Sequence, residues 1–458
     1  MSKSKASRKR KQAEAPPNAG RRQFMILGLG SLAVTVAGVA GYKSGLFTSA
    51  QSPTTSPVAP PTAPSTSSLA TAASPAAGQG FEPIVYVASR DNALRAAEEI
   101  TEYYARFFGV PSPLIHAVRG MGKNFKLSDG TNAVDFLCSR FAAEKQIDKK
   151  RYIYFPRQVE VHDNSFLKTF LEAGVSLDQP ITVGANKYTL RDLGDSAKAL
   201  FRCDPQNLAH YDPDLLHTHL PWGLIAFSIL MQPKDAVWTN AFGETINLSQ
   251  VIDRSLAAYE NSCSGASETI AKNGTESAAF HTEIKEYSCF GTHAVYGFLS
   301  CLNHGYRSDG LPERTRHLFD LMVYRLQGDP GAINQDYEAA AKQGVTQSDA
   351  AALKQNGLNF EQAVEAFRVV SQIKFFGHAF ECINYVKLHR LFPISSDQQK
   401  RIADGEQMFY DNLVKLRAMN LESFRGWNRQ FVCDVVVALG HAVRGMKLLT
   451  PQNPDTLA

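Results

Sequence analysis

The chain of 458 residues contains no CxxC pair, no HExxH, no GxSxG and no GxxxxGK[ST]. Without a nucleophile elbow or a phosphate-cradling loop, the common serine hydrolases and P-loop ATPases are disfavoured. Without HExxH or paired CxxC, the usual zinc anchors are missing as well. Cysteine is sparse, seven in all, at positions 138, 203, 263, 289, 301, 382 and 433 within otherwise apolar stretches. An odd, scattered set in a large domain does not form a disulfide framework, so most of these thiols read as small core residues.

Charge is also missing where the composition shifts. Residues 48–80 carry no charged side chain and consist almost wholly of Ser, Thr, Pro, Ala and Gly. Such a segment buries too little apolar surface to offset its ordering entropy and reads as a disordered linker. Residues 1–22 hold eight Lys or Arg and one Glu, so the formal net charge of +4 becomes −3 once they are set aside. The basic balance therefore belongs to the N-terminal segment, and nothing in it argues for a nucleic-acid partner.

After that basic region comes an uncharged apolar run within residues 23–42, close to the roughly 20 residues that span a bilayer. Gly20-Arg21-Arg22-Gln23-Phe24-Met25 resembles the bacterial twin-arginine signal, departing from it at Gly20, where Ser is common, and at Ile26, where Lys is common. The resemblance implies an exported or anchored protein with its folded part in the periplasm or cell envelope. The positive-inside rule gives the same orientation, and an uncleaved helix would make the membrane a partner. The organisation expected is a basic region at 1–22, a signal or anchor helix at 23–42, a linker at 48–80 and a helical globular domain at 81–451.

Within that domain, helical periodicity predicts long amphipathic helices at Asp91–Phe108, Ser249–Tyr259, Phe290–Leu302, Glu313–Leu326, Phe360–Leu391, Asp397–Leu416 and Asn428–Leu449. Asn359 with Gln362 forms a capping box for one of them. Extended segments are fewer: Ile84–Val87, Arg151–Phe155 and Gln158–His162. Three short pieces, Phe125–Asp129, Tyr188–Asp192 and Ile246–Gln250, each follow a turn-rich lead-in and precede a helix. They look like one hairpin-then-helix device used three times.

The hexapeptide HAVRGM occurs twice, at His116–Met121 and His441–Met446. It has looser relatives at His293-Ala-Val-Tyr-Gly297, His378-Ala-Phe-Glu-Cys382 and His219-Leu-Pro-Trp-Gly223. All five put a small residue four positions after a His, on the same helix face. The small residue would admit a neighbouring helix, with the imidazole one turn from the contact. The spacing between copies is too irregular for a solenoid. It suits an α/α toroid or an incomplete helical barrel with short β-hairpin inserts, in which the His residues form a ring at one level.

Val323-Tyr-Arg-Leu-Gln327-Gly-Asp-Pro-Gly331-Ala-Ile333 is similar to the Gln-Trp repeat of terpenoid cyclases and protein prenyltransferases, with Ile333 where the repeat has Trp. The resemblance implies the toroidal architecture of that group. It does not carry their catalysis, because the chain contains no Asp-Asp pair.

Candidate chemistry gathers around the repeated His. Cys289 and His293, four apart on one predicted helix, can present sulfur and nitrogen to a metal, with zinc as the candidate cofactor. His378, Glu381, Asp434 and His441 extend this set toward an acid/base or metal site, with Glu381 and Asp434 as partners for imidazole nitrogens. A second cluster, His304, Tyr306 and Arg307, ends the helix bearing His293 and has groups suited to proton abstraction from acidic sugars. His217 with His219, and His162, are further candidates. Against all of these stands a packing role for each His. Two function classes therefore remain open: a ligand-binding or structural envelope protein with an unidentified ligand, and an enzyme using a His-lined central cavity on a polysaccharide or lipid-like substrate.

Overall fold

The computed structural model describes residues 90–203, 219–273, 284 and 287–455. The segments at 1–22, 23–42 and 48–80, the strand expected at Ile84–Val87, and His217 lie outside the described residues. Helices α1 (Arg90–Phe108), α2 (Pro111–Met121) and α3 (Ala133–Arg140) precede strands β1 (Ala143–Ile147) and β2 (Lys150–Tyr154). Next come α4 (Ser165–Glu172), β3 (Pro180–Val183), β4 (Asn186–Thr189) and α5 (Leu190–Leu200), then α6 (Leu220–Leu230), β5 (Val237–Thr239), β6 (Thr245–Asn247) and α7 (Leu248–Asn273). The remainder is helical: α8 (Thr292–Asn303), α9 (Leu311–Tyr324), α10 (Asp329–Gln343), α11 (Gln347–Gln355), α12 (Phe360–His389), α13 (Ser396–Ala418), α14 (Leu421–Trp427) and α15 (Arg429–Lys447).

The mainly helical class with short hairpins is as expected, the strands forming only isolated antiparallel pairs. The hairpin-then-helix device recurs with the same internal bond. The first residue of the following helix donates its backbone N–H across the hairpin base at 2.9 Å in each copy: Ala133 to Phe125, Leu190 to Gln179 and Leu248 to Ala236. In the first copy the hairpin shrinks to a single bridge between Lys126 and Asn132. Asn132, Thr189 and Asn247 each offer a side-chain oxygen to an orphan first-turn amide of their helix. Residues 158–162 are not a strand. Val159 and Glu160 both donate to the Pro156 carbonyl at 2.8 Å, a turn after which Glu160 accepts the Phe166 amide at the start of α4.

The core is organised around α15, which packs on α12, α2 and α1 and is buried from Phe431 to Lys447 except at Asp434 and Val437. Its N-terminus is capped by Asn428, whose side chain accepts from Gln430 and Phe431; α12 begins in the expected Asn359–Gln362 capping box. Close approach explains the glycines. A Cβ on Gly440 would lie 2.5 Å from the His116 carbonyl, and one on Gly445 would lie 2.8 Å from the Glu381 amide nitrogen. Gly120 faces the Gly440 carbonyl in the same way, so both hexapeptides place their glycine where only a hydrogen fits. The described residues form no closed barrel, and none of their helices is long and apolar enough to cross a membrane.

Candidate metal centre

Four of the five repeated His side chains converge, and each is almost wholly buried or half-buried. His378 stacks on His441 with ring centroids 3.7 Å apart; His116 lies edge-on to His441 at 4.9 Å. His293 lies 4.5 Å from His378 and 5.5 Å from His441. The fifth does not join them. His219 stands at the start of α6, where its Nδ1 accepts the Asp163 amide, and its ring faces His162. His162 stacks on Trp222 at 3.8 Å, and Trp222 in turn contacts His293 at 4.2 Å, walling that side of the group.

A second layer lies one turn further along the same four helices. Three residues after each His come Arg119, Tyr296, Glu381 and Arg444, and these also meet. Arg119 grips Glu381 with two donors, at 2.7 and 3.1 Å, and also pairs with Glu172. Arg444 donates to the Tyr296 hydroxyl at 2.5 Å, approaches Glu381 at 3.6 Å and pairs with Asp455. Lys168 completes the layer through Glu172 at 3.1 Å. Two registered layers, His to His and i+3 to i+3, require α2, α8, α12 and α15 to pass the site in the same direction. The layer contains three cations, Arg119, Lys168 and Arg444, against three carboxylates, Glu172, Glu381 and Asp455, so it is charge-balanced. Burial alone would push the Glu381 carboxyl up, but Arg119 and Arg444 hold it down at about 2.

The hydrogen bonds assign the imidazole tautomers. A backbone carbonyl only accepts, so Nδ1 of His116 donates to Ser112 at 2.7 Å and Nδ1 of His378 donates to Lys374 at 2.6 Å. The ionised Glu381 likewise takes the Nδ1 proton of His441, at 3.0 Å. Burial lowers the pKa of His116 to about 4 and of His378 to about 3, and drives His293 and His441 well below the usual imidazole value. All four are therefore neutral rings near neutral pH, the protonation state of a metal ligand. Nε2 of His378 is buried and has no hydrogen-bond partner.

Cys289 approaches the His293 and His378 rings. Its sulfur and one nitrogen each from His293 and His378 lie within 4.8 Å of one another. Cys289 is not on the helix of His293, contrary to the i,i+4 expectation. It sits in the turn Ser288–Gly291, ahead of α8, with left-handed φ angles of 55° at Cys289, 57° at Phe290 and 75° at Gly291. Each non-glycine residue in that region costs about 1–3 kcal/mol, so the surroundings must hold it. They do: the buried Arg325, paired with Asp329, donates twice to the Phe290 carbonyl at 3.3 Å, and the Thr292 hydroxyl donates to the Cys289 carbonyl at 2.6 Å. Tyr259 fills the space a side chain at position 291 would need. Burial raises the Cys289 thiol pKa, although the side chain is only half-buried and forms the exposed edge of the trio.

The other candidates lie apart from this group. Asp434, about 10 Å along α15 from His441 at the helical rise, accepts from Gln430 at 2.9 Å rather than from an imidazole. Of the two expected carboxylate partners, only Glu381 serves. His304 donates Nδ1 to Ser300, Arg307 donates to the Leu302 and Tyr306 carbonyls, and Tyr306 donates to Met231, all finishing the end of α8. Gln327, from the segment likened to the Gln-Trp repeat, bonds Asp404 and Arg401 across to α13. Two clefts of about 830 and 570 Å3 are lined by the α12–α13 corner and by the β1–β2 and β5–β6 hairpins, with none of the four His residues in either.

Of the ionic layer, sequence reasoning named only Glu381. Arg119 and Arg444 were visible as the fourth letter of both hexapeptides. Lys168 and Glu172, by contrast, read as an ordinary i,i+4 surface pair. No protein family matches this chain, and neither a curated protein nor a solved structure is similar to it.

Proposed function

We propose that this chain is an exported, envelope-facing binding protein whose ligand is a transition-metal ion held by Cys289, His293 and His378. The observation that carries the reading is the His378 ring. It is 2% exposed, its Nδ1 proton is committed to Lys374, its buried Nε2 has no hydrogen-bond partner, and a nitrogen of the ring lies within 4.8 Å of a thiol sulfur and of a nitrogen of a second neutral imidazole. A buried acceptor left unsatisfied costs about 1–3 kcal/mol, a penalty that coordination removes. The carbonyl on Nδ1 is the usual outer partner that fixes a ligating imidazole. The strained, braced turn at Cys289 supports the same reading, since strain of that kind clusters at functional sites. Export rests on Arg21-Arg22, the apolar stretch at 23–42 and the linker at 48–80.

Metal analysis of the full-length protein after exposure to zinc and to copper, followed by desalting, tests this directly. One ion per chain is expected in the natural protein and in His304→Ala, and none in Cys289→Ser or His378→Ala. A folded natural protein that retains no ion, and whose melting temperature neither metal changes, refutes the proposal.

A further inference from the structure

The trio's donor chemistry points further, to which ion it holds. We infer that the site selects a soft monovalent ion, copper(I), over zinc(II); this rests on the metal-binding reading above. Three features of the surroundings lead there.

The first is donor number. Cys289, His293 and His378 make a three-donor group, and the nearest additional ring is unsuited to join it. His441 lies stacked on His378 at 3.7 Å with an interplanar angle of 29°, and its Nδ1 is bound to Glu381. Copper(I), a filled-shell ion, is satisfied by two or three donors, whereas zinc at a three-ligand site must also take a water as its fourth. The second is softness. The group contains a thiolate donor and imidazoles but no carboxylate, which excludes the hard ions and leaves copper(I) and zinc, between which donor number and charge decide.

The third is charge. When the ion binds, the S–H bond of Cys289 breaks, a metal–sulfur bond forms and the proton leaves to solvent, with no change of oxidation state. A monovalent ion with one thiolate and two neutral imidazoles has net charge zero. Zinc would leave the same site at +1. The one carboxylate that acts on all three ligands, Glu381, is already committed to Arg119 and Arg444 in the ionic layer one turn away, where three cations face three carboxylates. Lys374, one turn before His378 on α12, adds further positive charge and acts electrostatically on the Cys289 sulfur. Asp434, the remaining acid in this region, is engaged by Gln430 and faces the same lysine. Burying an uncompensated charge is costly, so the neutral combination is preferred.

The test is a competition on the full-length protein without oxygen, using copper(I) held by a chromophoric chelator, silver(I) as a redox-inert counterpart, and zinc(II). Copper(I) and silver(I) are expected to bind at one equivalent with one proton released, and zinc at least a thousandfold more weakly. Lys374→Met should narrow the copper-to-zinc ratio by about tenfold, a shift that a purely structural lysine would not produce. Zinc binding within tenfold of copper(I) and dependent on Cys289 overturns this inference and leaves the metal-binding reading intact. A folded protein that binds none of the three ions overturns that reading itself.

Discussion

Lowering the pH from about 7 to about 5 should remove most of the stability of the metal-free protein, because four imidazoles are buried neutral. The sign follows from proton counts. In the unfolded chain each His titrates near 6.5, whereas in the fold burial lowers His116 to about 4 and His378 to about 3, with His293 and His441 also well below the usual value. Below about 6.5 the unfolded state therefore binds more protons, and stability falls as pH drops toward the folded values. Each such His contributes a loss of about 1.9 kcal/mol between about pH 7 and about pH 5, so four contribute about 7–8 kcal/mol. Whole-domain stabilities are about 5–15 kcal/mol, so unfolding should become extensive in this window. Among the charges facing the rings, Arg119, Lys168 and Lys374 reinforce the effect and Glu381 opposes it. A separate loss begins below about pH 4.5, as Glu381 protonates toward its folded value of about 2. Urea unfolding of chelator-treated full-length protein, followed by circular dichroism at a series of pH values, measures the slope. His116→Asn should reduce it by about a quarter. A slope under about 1 kcal/mol per pH unit between about pH 6.5 and about pH 5 would refute the neutral-imidazole assignment.

Three other outcomes follow from the geometry. Gly440→Ala should cost about 3 kcal/mol or more by driving α15 off the His116 carbonyl, whereas Gly331→Ala, a helical position with open space around it, should be neutral or stabilise by up to about 1 kcal/mol; thermal denaturation compares them. Glu381→Gln should cost about 3–5 kcal/mol, since it leaves Arg119 and Arg444 short of a buried countercharge, and a loss below about 1 kcal/mol would mean the layer is solvated. Replacing Arg21 and Arg22 together by Lys should leave the protein in the cytoplasmic fraction, and undiminished export would remove the twin-arginine assignment.

The parts that sequence could supply were those governed by local periodicity. Helix limits, the Asn359 cap and the hairpin-then-helix device all depend on neighbouring residues, and they appear within a few positions of expectation except that the helix expected at Ser249–Tyr259 runs on to Asn273. The HxxxG pattern also correctly gave close helix packing at Gly120 and Gly445. What it did not give was three-dimensional company. Cys289 and His293 do lie close together, but not by sharing a helix face, because Gly291 ends the periodicity in a left-handed turn before α8 begins. Asp434 and His441 share a helix face but are two turns apart, too far for one site. Glu172 is buried because it meets Arg119, 53 residues away in sequence, and no local rule brings that pair together.

The proposed metal site is tested most directly by X-ray absorption at the metal edge of the loaded full-length protein. One sulfur donor at about 2.3 Å and two nitrogen donors at about 2.0–2.1 Å are expected, with the sulfur lost in Cys289→Ser. A first shell without sulfur, or one unchanged by that substitution, would contradict the assignment of Cys289, His293 and His378 as the ligands.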